Sequence, residues 1–404
     1  MVDNDIMQAI YLFLSIEDPL EAYLQYLVNL KYLADCKFIY FIDKGGIQMP
    51  SYYKTQSIEN FEIVNLQSKA NVFILDKGIC EEMYSSGGEA EYGVDVCIAL
   101  DTQAVSYLRN VVTEDSTLVY ERLHPFMHYL IANDLNFDTS LYFLENSRWS
   151  KNMDFIKVYE NLLAIERFKA IDINEYCQNK RIIYTLTEHE MKLNADNSFH
   201  LMNSENQDAE SLFDMYKTIY ALLLNICFIE FNYKKKGTKY RTQKLLDFVF
   251  EELGIVLQRE SMIGILYFLH DTRIDYFFRK VQKNSEKILD TIKGMAWDLA
   301  HLRYLERMYS NPPKSNMKSS IYSLITFDKS LIDIVKLVSI ERCALYDNLT
   351  IPINNDNLEG LLVDIDLSDY YIDLRNKERR PFDMEIVKKL IFDLEYKINM
   401  IIVN

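Results

Sequence analysis

The chain has 404 residues, 49% of them hydrophobic and 26% charged, so it can bury a substantial core and global disorder is excluded. Glycine (11) and proline (7) are scarce against a usual combined share of about 12%, which excludes collagen-like, linker-rich and turn-dense all-β architectures. Forty-four Lys and Arg against sixty Asp and Glu leave a net charge of −16. A surface that coats DNA or an anionic membrane as a whole is excluded, and any nucleic-acid contact has to be local.

Residues 8–34 carry apolar side chains at helical spacing, with Asp18-Pro19 as a helix start. Phe38 to Ile42 reads as a buried strand closed by a Gly45-Gly46 turn, and Phe61 to Leu66 and Val72 to Leu75 as two more strands. The glycine-rich stretch 84–93 is a loop, and the first domain boundary is placed there. Val94 to Leu100 is expected to be a central strand ending at Asp101-Thr102. Helical patterns follow at Ala104–Val112, Leu118–Asn133, Ser140–Asn146 and Phe155–Phe168, then a polar loop from about Asn194 to Ala209. They resume at Ala209–Tyr233, Arg241–Leu257, Met262–Leu269 and Ile274–Tyr309, until Pro312-Pro313 stops them. Ser320 to Phe327 is a second buried strand ending on Asp328. The tail holds a loop at Asn348–Leu358, a short strand or two, and a helix from about Pro381. The fold class expected is helix-rich α/β.

Cys36, Cys80, Cys97, Cys177, Cys227 and Cys343 are far apart and lack zinc spacing, so they are expected to be reduced thiols of a cytoplasmic protein. The longest apolar stretch, Tyr220 to Phe231, is too short to span a bilayer.

Two apolar strands are each followed by an acid, Asp101 and Asp328, and in parallel α/β sheets ligands bind beyond the carboxyl ends of the strands. A strand-end turn or a helix N-cap is the alternative for both. Asp298, expected to open a helix after Gly294, and Glu145, within a helix, are two further acids. Four adjacent carboxylates repel one another, and a hard divalent cation with oxygen ligands offsets that cost.

Asp101-Thr102, Glu145, the segment Trp297-Asp298-Leu299-Ala300-His301 and Thr326-Phe327-Asp328-Lys329-Ser330-Leu331 together resemble the PIN-like metal-dependent nucleases, which include ribonuclease toxins. The resemblance covers roughly residues 94–146 and 290–340. It implies a parallel sheet flanked by helices, and Mg²⁺ or Mn²⁺ held by Asp101, Glu145, Asp298 and Asp328, with Thr326 helping to position the site. It also implies hydrolysis of phosphodiester bonds, of RNA before DNA, and a setting as a toxin or antiviral defence effector with a protein inhibitor or partner. Glu160, Glu166 or Asp138 are alternatives to Glu145 as the second acid. The domain organisation is then a 1–93 accessory α/β region, a 94–340 nuclease domain with a helical insertion at about 150–290, and a 341–404 α/β extension.

A non-catalytic interaction scaffold is the rival reading, and the net charge suits it. The segment Arg122 to His128 has the Arg-to-His spacing of metal-independent HEPN ribonucleases, but Pro125 is expected to break the helix that would present both side chains. The run from Tyr233 to Lys244 is the dense basic segment, and Lys234, Lys235, Lys236, Lys239 and Arg241 are the expected phosphate contacts.

Overall fold

A computed structural model describes residues 4–403 other than 113–116, 134–136, 148–153, 205–206, 284, 310–317, 348, 356–357 and 378–380. Pro312 and Pro313, the expected helix stop, lie outside the described residues. The strands are β1 (Lys37–Ile42), β2 (Ile47–Gln48), β3 (Gln56–Ile58), β4 (Phe61–Asn65), β5 (Asn71–Leu75), β6 (Gly93–Leu100), β7 (Phe137–Asp138), β8 (Lys318–Thr326), β9 (Ile340–Tyr346) and β10 (Leu349–Asn354). They make two five-stranded sheets, ordered β10-β9-β1-β5-β2 and β3-β4-β8-β6-β7. The first is antiparallel throughout. In the second, β8, β6 and β7 run parallel while β4 and β3 run antiparallel. The protein is helix-rich α/β as expected, but the expected parallel sheet is a mixed one.

Side-chain alternation explains why these strands are apolar on both faces. In β1, Phe38 and Tyr40 pack into one core with the N-terminal helices, while Ile39 and Phe41 enter the main core. In β6, Ala99 faces the main core while Ile98 and Leu100 enter a third cluster beneath the Thr102–Val112 and Phe155–Lys169 helices. After β1 the chain turns through Gly45 and Gly46 at positive φ. A Cβ on Gly46 would stand 2.3 Å from the Val72 carbonyl oxygen, so only glycine fits there.

Strands from residues 1–93 divide between the two sheets, and β9 and β10 from the C-terminal extension join the first. The ladder between β4 and β8 crosses the boundary placed near residue 93.

Several local expectations are corrected by the structure. The helix start expected at Asp18-Pro19 is present, and within 8–34 it separates Asn4–Leu14 from Pro19–Val28, the second capped by Asp18, whose side chain accepts from Leu20 and Glu21. The polar loop expected from about Asn194 is helical to Asn203, because Thr187 and Glu190 form a capping box and Met191, Ala195 and Met202 are buried. Part of the expected 348–358 loop is β10, stabilised by pairing with β9. Pro125 lies inside the Thr117–Ala132 helix and does not break it.

The Gln207–Tyr233 helix is long and apolar enough to cross a membrane, the one such helix among the described residues, yet 72% of its apolar window is buried inside the protein. It packs against the Ile288–Met308 and Met384–Val403 helices and serves as a core element. All six cysteines are unpaired.

Candidate functional site

Strands β6 and β8 pair in parallel from Gly93–Lys318 to Leu100–Ile325, so their carboxyl ends coincide. Asp101 continues the ladder one residue further, its N–H donating to the Ile325 carbonyl at 3.1 Å. Asp328 follows two residues after β8. Both acids therefore emerge at one sheet edge. Both also begin helices: Asp101 Oδ1 accepts the Ala104 N–H at 2.5 Å, and Asp328 Oδ1 accepts the Ser330 N–H at 2.9 Å and its hydroxyl at 2.7 Å. The cap and the cluster are compatible, because capping engages one oxygen of each carboxylate and leaves the other.

Thr326 ties the two acids together. It is fully buried, its Oγ1 accepts the Asp328 N–H at 3.0 Å, and its hydroxyl bonds to the Asp101 carboxylate. Thr326→Val keeps the shape but leaves the half-buried Asp328 N–H without its acceptor and removes a bond to a charged acceptor. A loss of about 1–3 kcal/mol is expected, with Thr326→Ser close to wild type, as read from urea denaturation.

Glu145 ends the short Ser140–Glu145 helix, where the Thr102 hydroxyl donates to its Oε2. His301 Nε2 lies 3.4 Å from the same oxygen. The alternatives to Glu145 are engaged elsewhere: Glu160 by Arg109 at 2.7 Å, Glu166 by Lys169 at 3.0 Å, and Asp138 in capping Ser140 at 2.8 Å. Asp298 does not open a helix, as expected from sequence, but lies in the middle of Ile288–Met308. Buried Ile288, Ile292 and Met295 extend the helix upstream, straight through exposed Gly294. Leu299, Leu302 and Leu305 are buried, so the half-buried Asp298 is carried at the boundary of the core.

The electrostatics couple all four acids. Burial pushes Asp101 up to about 6, and the Asp328 carboxylate adds to the rise against bonds from Thr326 and Ala104. Burial and then the Asp101 charge push Glu145 up to about 7, with the Thr102 hydroxyl opposing. Asp298 is raised well above the carboxylate range by burial, then by Asp328, Asp101 and Glu145, with Lys280 opposing. Asp328 differs: burial alone would raise it, but the Lys280 ammonium and Ser330 hold it low.

Mg²⁺ and Mn²⁺ prefer oxygen ligands, and four carboxylates form a donor set of that chemistry. His301 Nε2, buried and without a hydrogen-bond partner, is aimed at Glu145. As the side chains stand, no group of three or more His, Cys, Asp or Glu among the described residues is arranged to hold an ion. Asp101 is turned onto its helix cap, Glu145 onto Thr102, and Asp328 onto Ser330 and Lys280.

Lys280 and Glu62 were missed by sequence reasoning, and Thr102, part of the Asp101-Thr102 motif, was given no role of its own there. Glu62 stands opposite Thr326 across the β4–β8 ladder and is 1% exposed, with the Ser57 hydroxyl donating to it at 2.5 Å. An acid inside the apolar run FEIV was its available signal.

The expected basic contacts are not brought to the acids. Arg241 is internal, 3% exposed, paired with Glu230 and donating to the Phe268 carbonyl at 2.6 Å, so its assignment as a phosphate contact is corrected. Lys239 pairs with Asp366 at 2.7 Å, Lys234 lies 4.0 Å from Glu230, and Lys236 faces the Tyr240 ring. Tyr216 stacks on Trp297, the neighbour of Asp298, at 4.2 Å. From Tyr216 to the helix end at Tyr233 is about 26 Å at 1.5 Å per residue, roughly eight stacked nucleotides. Under the nuclease reading proposed below, replacing Lys234, Lys235, Lys236 and Lys239 with Gln is expected to flatten the salt dependence of binding for an RNA 20-mer and leave a 4-mer unchanged, by fluorescence anisotropy.

His124 and His128 stack 5.9 Å apart near Tyr176, while the Arg122 side chain lies outside the described residues. No protein-family model, no curated protein and no solved structure matches this chain.

Proposed function

We propose that the chain is a PIN-like nuclease that uses a divalent ion, with RNA as its expected substrate. One observation carries this reading: adjacent parallel strands bring Asp101 and Asp328 to one edge, where Glu145 and Asp298 couple to them. Asp101, Glu145, Asp298 and Asp328 would hold the ion, which would activate a water and stabilise charge on the phosphodiester. Thr326 fixes the relative positions of Asp101 and Asp328, and Thr102 orients Glu145 from the first turn of the next helix. Burial of Asp101 and Thr326 keeps bulk water from screening the carboxylates.

The test is hydrolysis of single- and double-stranded RNA and DNA with Mg²⁺, with Mn²⁺ and with EDTA. Cleavage that disappears in EDTA and in Asp101→Asn supports the reading. A non-catalytic interaction protein is the second reading, favoured by internal partners that already engage Asp101, Glu145 and Asp328. Absence of metal-dependent cleavage across the whole panel would put it ahead.

A further inference from the structure

We propose that the basic surface formed by residues 273–287 and the end of the Lys329–Leu337 helix binds single-stranded RNA. The choice of RNA rests on the nuclease reading; the surface itself requires no bound ion. Residues 273–287 hold five cations against two acids, in a chain of net charge −16. Their placement follows from the apolar spacing. Ile274, Phe277, Phe278 and Val281 are buried at helical intervals and anchor the Asp275–Arg279 helix and the turn after it to the core. Tyr276, Arg279 and Lys283 are thereby left on the exposed side. Lys280 is drawn onto Asp328, whereas Arg279, Lys283, Lys287 and Lys336 are exposed and pair with no carboxylate among the described residues. The run from Tyr233 to Lys244 differs, because Lys239, Arg241 and Lys244 are neutralised by Asp366, Glu230 and Asp247.

Two features favour a nucleic acid over an acidic polypeptide. Tyr276 is 60% exposed, with the Arg279 guanidinium 4.7 Å from its ring centroid, and unpaired bases stack on exposed tyrosine and arginine planes. A cleft of about 270 Å³ opens between Arg273 and Lys336, with Asp333, Leu337 and Asn355 completing its lining. Asp271 holds the Arg273 guanidinium at 2.8 Å, which leaves the Lys336 ammonium to meet a phosphate. The Lys329–Leu337 helix places Lys336 about 12 Å from Asp328 at 1.5 Å per residue, roughly three or four stacked nucleotides. A strand held in the cleft therefore reaches the edge where Asp101 and Asp328 emerge.

Fluorescence anisotropy of labelled octauridine with the full-length protein in EDTA tests the surface without cleavage. The triple variant Lys283→Gln, Lys287→Gln and Lys336→Gln should bind on the order of tenfold more weakly, with the salt slope reduced by about 2. Replacing exposed Lys44, Lys54 and Lys77 with Gln removes the same charge elsewhere and should leave both unchanged. Tyr276→Ala should weaken binding on the order of tenfold at an unchanged salt slope, with Tyr276→Phe close to wild type. Equal weakening by the two triple variants overturns the surface, as does no binding by wild type at low salt. Tighter binding of a labelled glutamate octapeptide than of octauridine overturns RNA as the occupant and favours an acidic polypeptide. The expected binding pattern without cleavage by wild type in Mg²⁺ or Mn²⁺ supports the surface and removes the nuclease reading. Cleavage by wild type, with octauridine bound equally by wild type and the Lys283, Lys287 and Lys336 variant, overturns the surface and leaves the nuclease reading standing.

Discussion

Asp101→Asn is expected to stabilise the protein in EDTA while abolishing the hydrolysis proposed above. Asparagine retains the capping oxygen that accepts the Ala104 N–H, and Asn and Asp rank alike as N-caps. It can also accept from Thr326. What it removes is a buried charge whose pKa is held at about 6 by burial and by Asp328. At pH 7.5 that ionised carboxylate opposes folding by up to about 3 kcal/mol, since a pKa unit corresponds to about 1.4 kcal/mol. Some of that penalty persists through the other acids, so a gain of about 1–3 kcal/mol is expected. For a chain of this length each kcal/mol moves the midpoint by about 1 °C. Mn²⁺ should raise the melting temperature of wild type and have a smaller effect on the variant, because stabilisation by a ligand follows from binding the native state. A purely structural N-cap predicts another pattern: little or no gain in EDTA, and the same Mn²⁺ response in both proteins. Melts of the two proteins with EDTA and with Mn²⁺ separate the cases.

In EDTA, stability is expected to fall as pH rises from about 4 to about 7. Asp101 and Glu145 have folded pKa values of about 6 and about 7, against ordinary values of 3.8 and 4.5. Between those limits the native state binds more protons than the unfolded chain, so the slope of unfolding free energy with pH is negative. The stabilisation is fully present below about 4 and is lost as each acid ionises in the fold. Because the two acids interact, they titrate as a coupled set, and the loss for the pair is at most about 6 kcal/mol. Asp328 acts in the other direction: its lowered pKa contributes stability above the carboxylate range, which is lost on acidification below about 4. Protons and a divalent ion compete for the same oxygens, so stabilisation by Mn²⁺ should grow across the same interval. Urea denaturation in EDTA at pH 5.5 and pH 8 measures the first effect, with Asp101→Asn as the control that flattens it. Stability that rises with pH over this window in wild type would show that these carboxylates are solvated and uncoupled.

The sequence by itself determined the elements with strong local signals. Phe38–Ile42, Val94–Leu100 and Ser320–Phe327 are strands because apolar runs of that length bury both faces of a sheet. Asp18-Pro19 starts a helix because a capping carboxylate precedes a residue that needs no N–H donor. The order of Asp101, Glu145, Asp298 and Asp328, two of them after strands, was likewise legible, as was a hydroxyl at Thr326. Only the tertiary structure decided the rest. The strand β10 exists through its pairing with β9: Leu349, Ile351 and Ile353 alternate at strand spacing, but Pro352 among them removes a ladder donor and argues locally against a strand. Asp298 is carried mid-helix because buried Ile288, Ile292 and Met295 extend that helix upstream, and one exposed glycine costs too little to stop it. Arg241 is internal because Glu230, one turn before the end of the preceding helix, meets it across the connection. Lys280 lies 48 positions from Asp328, and Glu62 lies 264 positions from Thr326. Charge pairs and cross-strand neighbours at such separations carry no local pattern, so the ladder between β4 and β8 and the packing around Asp328 alone bring them to the site.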